Sequence, residues 1–299
     1  MTDERPTIRP VSLGRITEVT HLCDGTPRTT EDVLELLNVS KRRARETILE
    51  ALRIDLIESV SNEEEKPDEY LTTTIGDGFL AAVRNEAWKT VNKTLQVRSP
   101  HYKAFLEAVD EVSPATLQEL LDVLEENSEF TPYKYNQTSV ELLGDWAERL
   151  GVVQRNAFTG SFYRVERESV PTNFGFVLLS AYDELEQTAG VNLRQRHLSI
   201  PKLREFTCER LGCRRSAFDE GLLKLVEQNI GRVELSGAPL DTAAKDSPRA
   251  IRRIELSEGE TLVSTTQTSD QVMAGVEQFG KKYYYLAVYD RDLTFNMES

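Results

Sequence analysis

Residues 39–72 read VSKRRARETILEALRIDLIESVSNEEEKPDEYLT. Ser40 stands where a helix cap belongs, and the apolar positions that follow recur at helical spacing. At about 100° per residue, Ala44, Ile48, Ala51 and Leu52 share one side and must face a core. Arg42, Arg43, Glu46, Glu50 and Arg53 share the other. Lys41, Arg42, Arg43 and Arg45 crowd the first turns, and cations there oppose the helix dipole. The fold gains nothing evident from that placement, so the run calls for another reason. A strand candidate, LIESV, follows the helix. The tip SNEEEKPDE comes next, and YLTTTI returns as a second strand leading into the helix of GDGFLAAV.

Two shorter helices precede this segment. SLGRITEVTHLC is the first, and TTEDVLELL is the second, with Thr29 or Thr30 as cap and acids in its first turn. EAWKTVNKTL and SPHYKAFLEAV read as connecting helices. A similar order begins again near Ser113. SPATLQELLDVLEE starts with Ser113 as cap and Pro114 at the first helical position. A helix from Thr138 to Leu150 stops at Gly151, and VVQRN with FYRVE forms a hairpin. FGFVLLSAYDELEQT, SIPKLREFTCERLG and CRRSAFDEGLLKLVEQN give three more helices. GRVEL and AIRRIEL are expected to pair around the long tip SGAPLDTAAKDSPR. TSDQVMAGVEQF is read as a helix and KKYYYLAVYD as a strand. That aromatic strand suits a sheet core or an interface, and Lys281 and Lys282 beside it also match the composition of a base-stacking surface.

The order helix, helix, helix, strand, tip, strand resembles the winged helix superfamily, in tandem. The resemblance implies a mainly α fold with small β-hairpins (α+β), as three consecutive winged-helix-like modules joined by helices. The expected bounds are 1–111, with a helical extension; 112–170; and 171–299, with the aromatic strand at its end. It also implies where DNA would be met, at the starts of the third helices and at the wings. Those positions are Lys41, Arg42, Arg43, Arg45 and Arg53 in the first module. In the third they are Arg214 and Arg215 on the helix, and Lys245, Arg249, Arg252 and Arg253 in the wing. The second module's helix shows Glu141, Asp145 and Glu148 outward, which suits a structural or partner-binding role. The first wing tip is acidic and should repel phosphate.

The chain has 299 residues and a net charge of −14. Its acid excess, with arginine favoured over lysine, is similar to that of proteins from salt-loving archaea, where such charge is a general adaptation. The N-terminus is polar, and no apolar run approaches a membrane span, so the expected location is the cytoplasm. Three histidines and three cysteines fall in no triad, zinc or phosphate-loop pattern. No catalytic residue, metal or cofactor is expected. The expected function is that of a non-enzymatic DNA-binding regulator or DNA-associated subunit, archaeal or from a defence system, with double-stranded DNA as ligand. The alternatives are an adaptor holding a protein partner or a second copy, as acidic tandem winged helices do in chromosome-condensing complexes, or a non-catalytic subunit of a nuclease or restriction system.

Overall fold

Short side-chain oxygens set the helix starts. In the computed structural model, Ser12 caps α1 (Leu13–Leu22), Thr29 caps α2 (Thr30–Leu36) and Ser40 caps α3 (Lys41–Arg53). Each side chain accepts a backbone N–H that the first helical turn leaves without a partner. At α2 the bond is reciprocal, because Asp32 accepts from the Thr29 N–H at 2.8 Å. The structure describes residues 6–60, 68–129, 131–188, 197–237, 254–255, 261–262 and 272–296. They form a mixture of α-helices and small antiparallel sheets.

The chain divides into two compact units, Met1–Val153 with Arg252–Thr266, and Gln154–Ile251 with Gln267–Ser299. In the first, β1 (Arg28–Thr29), β2 (Ile57–Ser59) and β3 (Glu69–Thr72) form a sheet in the order β1-β3-β2. Val19, Cys23, Val33, Ala44, Ile48, Ala51, Ile57 and Tyr70 pack as one core between the three helices and this sheet. α4 (Thr74–Arg84) follows at once, and the turn into it needs glycine. A Cβ on Gly76 would lie 2.1 Å from the Leu56 carbonyl oxygen. α5 (Trp88–Arg98), α6 (Pro100–Val112), α7 (Leu117–Asn127) and α8 (Gln137–Arg149) complete the helices of this unit. α7 begins later than expected: Thr116 rather than Ser113 is its cap, in a capping box with Glu119.

A strap at Pro6–Val11 is held by side chains of three of these helices and by the backbone of one loop. Trp146 of α8 donates to the Val11 carbonyl at 3.1 Å, and Arg53 of α3 to that of Thr7 at 3.3 Å. His101 of α6 and the Lys134 backbone N–H both bond the Pro6 carbonyl at 2.8 Å. His101 therefore holds its proton on Nε2, while Nδ1 faces the Arg53 guanidinium. Tyr133 and Tyr135 close around its ring.

The second unit begins within the hairpin of β4 (Val153–Arg155) and β5 (Phe162–Arg164). It contains α9 (Phe174–Thr188), β6 (His197–Ser199), α10 (Ile200–Leu211), α11 (Arg215–Gln228) and β7 (Val233–Ser236). β8 (Ile254–Glu255) and β9 (Thr261–Leu262) pair with each other, in residues that cluster with the first unit. β10 (Val276–Gln278) and β11 (Lys281–Tyr283) form a hairpin, and β12 (Tyr285–Val288) is the last strand. The second three-stranded sheet has the order β6-β12-β7. Phe174, Leu178, Phe218, Leu222, Leu225, Leu286 and Val288 lie in its core.

Two sequence expectations are corrected here. β7 pairs with β12, where Leu286 and Val288 supply the apolar face that the sheet buries; of the strand expected at Ala250–Leu256 only Ile254–Glu255 is among the described residues, and it pairs with Thr261–Leu262. The segment read as a helix over Thr268–Phe279 contains strand β10.

Burial and the neighbouring Arg53 charge push the His101 pKa down to about 4 from the ordinary 6.5. Above 6.5 this ring is neutral folded or unfolded, and costs nothing. As pH falls from 6.5 towards 4 the unfolded chain takes up a proton that the folded one refuses, so stability is lost, by about 3 kcal/mol in total. Urea melts across this range should show that loss, and His101→Gln should flatten it.

Candidate nucleic-acid interface

The first turns of α3 hold the most exposed cluster of cations among the described residues of the first unit. Ser40 fixes the helix start by accepting from the Arg43 N–H at 3.3 Å. Ala44, Thr47, Ile48, Glu50 and Ala51 turn inward. Lys41, Arg42, Arg43 and Arg45 are exposed, and Arg42 keeps 85% of its side-chain surface. The outward stripe is Lys41, Arg42 and Arg45, with half-buried Leu49 one turn further along.

That differs from the mixed face expected from projection alone. Glu50 is fully buried, with Arg9 at 3.5 Å and Arg53 at 3.7 Å. Burial raises its pKa, and the two guanidinium charges and the Arg9 N–H oppose that shift. Arg53 retains only 11% of its side-chain surface and is bonded to Thr7, His101 and Glu50. It is turned inward, whereas projection of the sequence places it on the outer face. A cation brought inside must keep a partner, and here the partner is Glu50.

The exposed cations have partners too, of a different kind. One Glu46 carboxylate bridges Arg42 at 3.0 Å and Arg43 at 3.4 Å. Arg43 also approaches the Pro10 carbonyl, and Lys41 meets Glu31 at 2.9 Å. Exposed pairs like these are worth about 0–1 kcal/mol, so a phosphate can displace them. Arg45 meets no carboxylate within ion-pair distance among the described residues. The surroundings are acidic: Glu31, Glu35, Glu58, Asp68 and Glu69 are all exposed. The tip at 61–67 lies outside the described residues, as do Lys245, Arg249, Arg252 and Arg253.

α11 is built the opposite way. Arg215, at its first position, is buried and holds the fully buried Glu205 through two hydrogen bonds. A third runs from Arg215 to the Arg155 carbonyl at 2.8 Å. Arg215 thus lies inside the fold, whereas the sequence reading places it at an exposed helix start. Arg214 is half-buried, and its Nε has no hydrogen-bond partner among the described residues. Asp219 faces Arg204 at 2.7 Å, and the polar positions left outside are Ser216, Glu220, Glu227 and Gln228. On α8, Val140, Leu143, Trp146, Ala147 and Leu150 are buried as the stripe predicts, and Glu141 is exposed.

The residues that sequence reasoning missed are Glu205 and Arg204, the buried partners within the second unit. Their spacing from Arg215 and Asp219 carries no local signal. Among the described residues no group of three or more His, Cys, Asp or Glu side chains could hold a metal, and no helix is long and apolar enough to cross a membrane. Cys23, Cys208 and Cys213 are buried free thiols, and burial pushes Cys23 up to about 12. No protein-family model, curated protein or solved structure matches the chain.

The contrast between the two helix starts is measurable. Arg215→Ala leaves Glu205 buried without its cation and should cost about 3–5 kcal/mol in chemical denaturation. Arg42→Ala, on an open surface, should change stability by no more than about 0.5 kcal/mol.

Proposed function

We propose that this chain is a non-enzymatic DNA-associated protein built from winged-helix units, and that it meets duplex DNA with the first turns of α3. The winged-helix reading is supported by an order of elements that occurs twice. α1, β1, α2, α3, β2, β3 carry a sheet ordered β1-β3-β2, and α9, β6, α10, α11, β7 and, after the inserted β8–β11, β12 carry one ordered β6-β12-β7. The middle segment, with α7, α8, β4 and β5, has two strands among the described residues.

The observation that carries the DNA reading is the outward stripe of Lys41, Arg42 and Arg45, from which Glu50 has been withdrawn into the interior. Arginine at the start of a groove-entering helix suits phosphate and guanine alike. The acidic α2 and the acidic strand ends limit the footprint to that stripe. A regulator and a DNA-associated, non-catalytic subunit share this chemistry.

The exposed face of α11 favours a different partner. α11 keeps Arg215 inside and shows Ser216, Glu220 and Glu227 outward, a surface that phosphate repels and a basic protein surface attracts. An adaptor role for this unit predicts a co-purifying protein, or a second copy, that charge reversal at Glu220 and Glu227 releases.

Duplex binding at low salt should weaken with a log–log slope of about −3, for three to four phosphates neutralised. Arg42→Glu with Arg43→Glu should abolish it and remove the slope. A wild-type protein that leaves duplex DNA unshifted at low salt contradicts the DNA reading.

A further inference from the structure

The hairpin of β10 and β11 carries a residue that its own turn disfavours. Gln278 pairs with Lys281, which leaves Phe279 and Gly280 as a two-residue loop. Both have positive φ, +51° at Phe279 and +72° at Gly280. Loops of this kind select Asn-Gly or Asp-Gly, since asparagine and aspartate tolerate the left-handed region and bulky side chains do not. The ring gains nothing from burial, for Phe279 is 88% exposed. The fold thus accepts both backbone strain and an exposed aromatic at one position, and strain kept at an exposed tip argues for function.

The strands beneath the tip are firmly held. Arg204, nearly fully buried, donates to the carbonyls of Val272 and Ala274 at 3.0 Å each while paired with Asp219. Gly275 lets β11 pass closely: a Cβ there would lie 1.9 Å from the Tyr283 carbonyl oxygen. Gln278 bonds Glu227 of α11 at 3.2 Å. The tip is therefore a fixed projection. Lys281 and Lys282 follow it and are exposed, with Glu277 opposite Lys282. The two ammonium groups stand near two carboxylates, Glu277 across from Lys282 and Glu227 bonded to Gln278 across from Lys281, and neither cation is buried in an ion pair.

We propose that this tip is a nucleic-acid contact separate from α3, in which the Phe279 ring stacks on an exposed base while Lys281 and Lys282 meet the flanking phosphates. An aromatic face beside cations is the chemistry that single-stranded or unstacked DNA bases require. Tyr284 and Tyr285 of the aromatic segment are half-buried at or beside β12, and Leu286, Ala287 and Val288 are buried, so the stacking surface is the tip and not that strand.

The test uses the full chain carrying Arg42→Glu and Arg43→Glu, so that α3 does not contribute. The probes are a single-stranded DNA oligonucleotide containing 2-aminopurine, the same strand in a perfect duplex, and the same strand in a duplex where the labelled base is bulged. Binding should change 2-aminopurine fluorescence in the single strand and the bulge, and not in the perfect duplex. Phe279→Asn should weaken single-strand binding about tenfold or more, while Phe279→Trp preserves it. Lys281→Gln with Lys282→Gln should reduce the salt slope by about 1.4, at 0.7 per charge. Because asparagine suits the turn, Phe279→Asn should melt at or above the wild-type temperature.

A Phe279→Asn protein that binds like its parent overturns the proposal. So does one that melts several degrees lower, which would make the ring structural. No fluorescence response to any probe also overturns it, and points to a protein surface instead. If the wild-type protein still shifts a perfect duplex in that case, the α3 reading stands alone.

Discussion

Glu50 lies on the inner side of α3 with no exposure to solvent, and Arg9 and Arg53 close on it from two directions. A carboxylate in that position is sustained only by its cations, and removing one would leave the other groups charged and dry. The arrangement fixes α3 about its axis. With Glu50 and Arg53 turned inward, Lys41, Arg42 and Arg45 must face out. The strap at Pro6–Val11 belongs to the same arrangement, because Arg9 reaches Glu50 from it and Arg53 and His101 bond its carbonyls. The orientation of the basic stripe thus follows from the buried apolar stripe Ala44, Ile48 and Ala51 together with the buried Glu50 and its two arginines.

The second unit uses the same physics to the opposite effect. There the buried carboxylate, Glu205, draws in the arginine at the very start of α11, and Arg204 takes Asp219. Two helices with basic starts in sequence end with different surfaces: one cationic, one polar and acidic. The difference follows from where the buried acid sits. On α3 it lies in the third turn, behind the cations, whereas on α11 it comes from a neighbouring helix and meets the first turn.

Much of this fold was legible in the chain. Ser40 and the pair Thr29–Thr30 marked their helix starts, and the apolar stripes of α3 and α8 named the residues that are buried. What was hidden has physical reasons. β1 and β6 are too short for an alternating pattern, and they exist because β3 and β12 offer free edges. β12 pairs with β7 across a long insertion, and no local signal specifies such a partner. Arg53 and Arg215 looked like surface cations, since a basic side chain does not reveal where its carboxylate lies. Glu50 misled in the other direction, appearing to dilute a face on which it does not stand. The reading Phe279-Gly280 as a turn was obscured by an expected helix, because Phe is not a residue that such loops usually hold.

The most direct measurement is hydrogen–deuterium exchange of the full chain with and without duplex DNA at low salt. Contact through the outward stripe predicts protection gained over residues 40–49 and none over 214–228. Protection confined to the start of α11, or absent from α3 while DNA is bound, would contradict the claim that the buried Glu50 aims this helix at a nucleic acid.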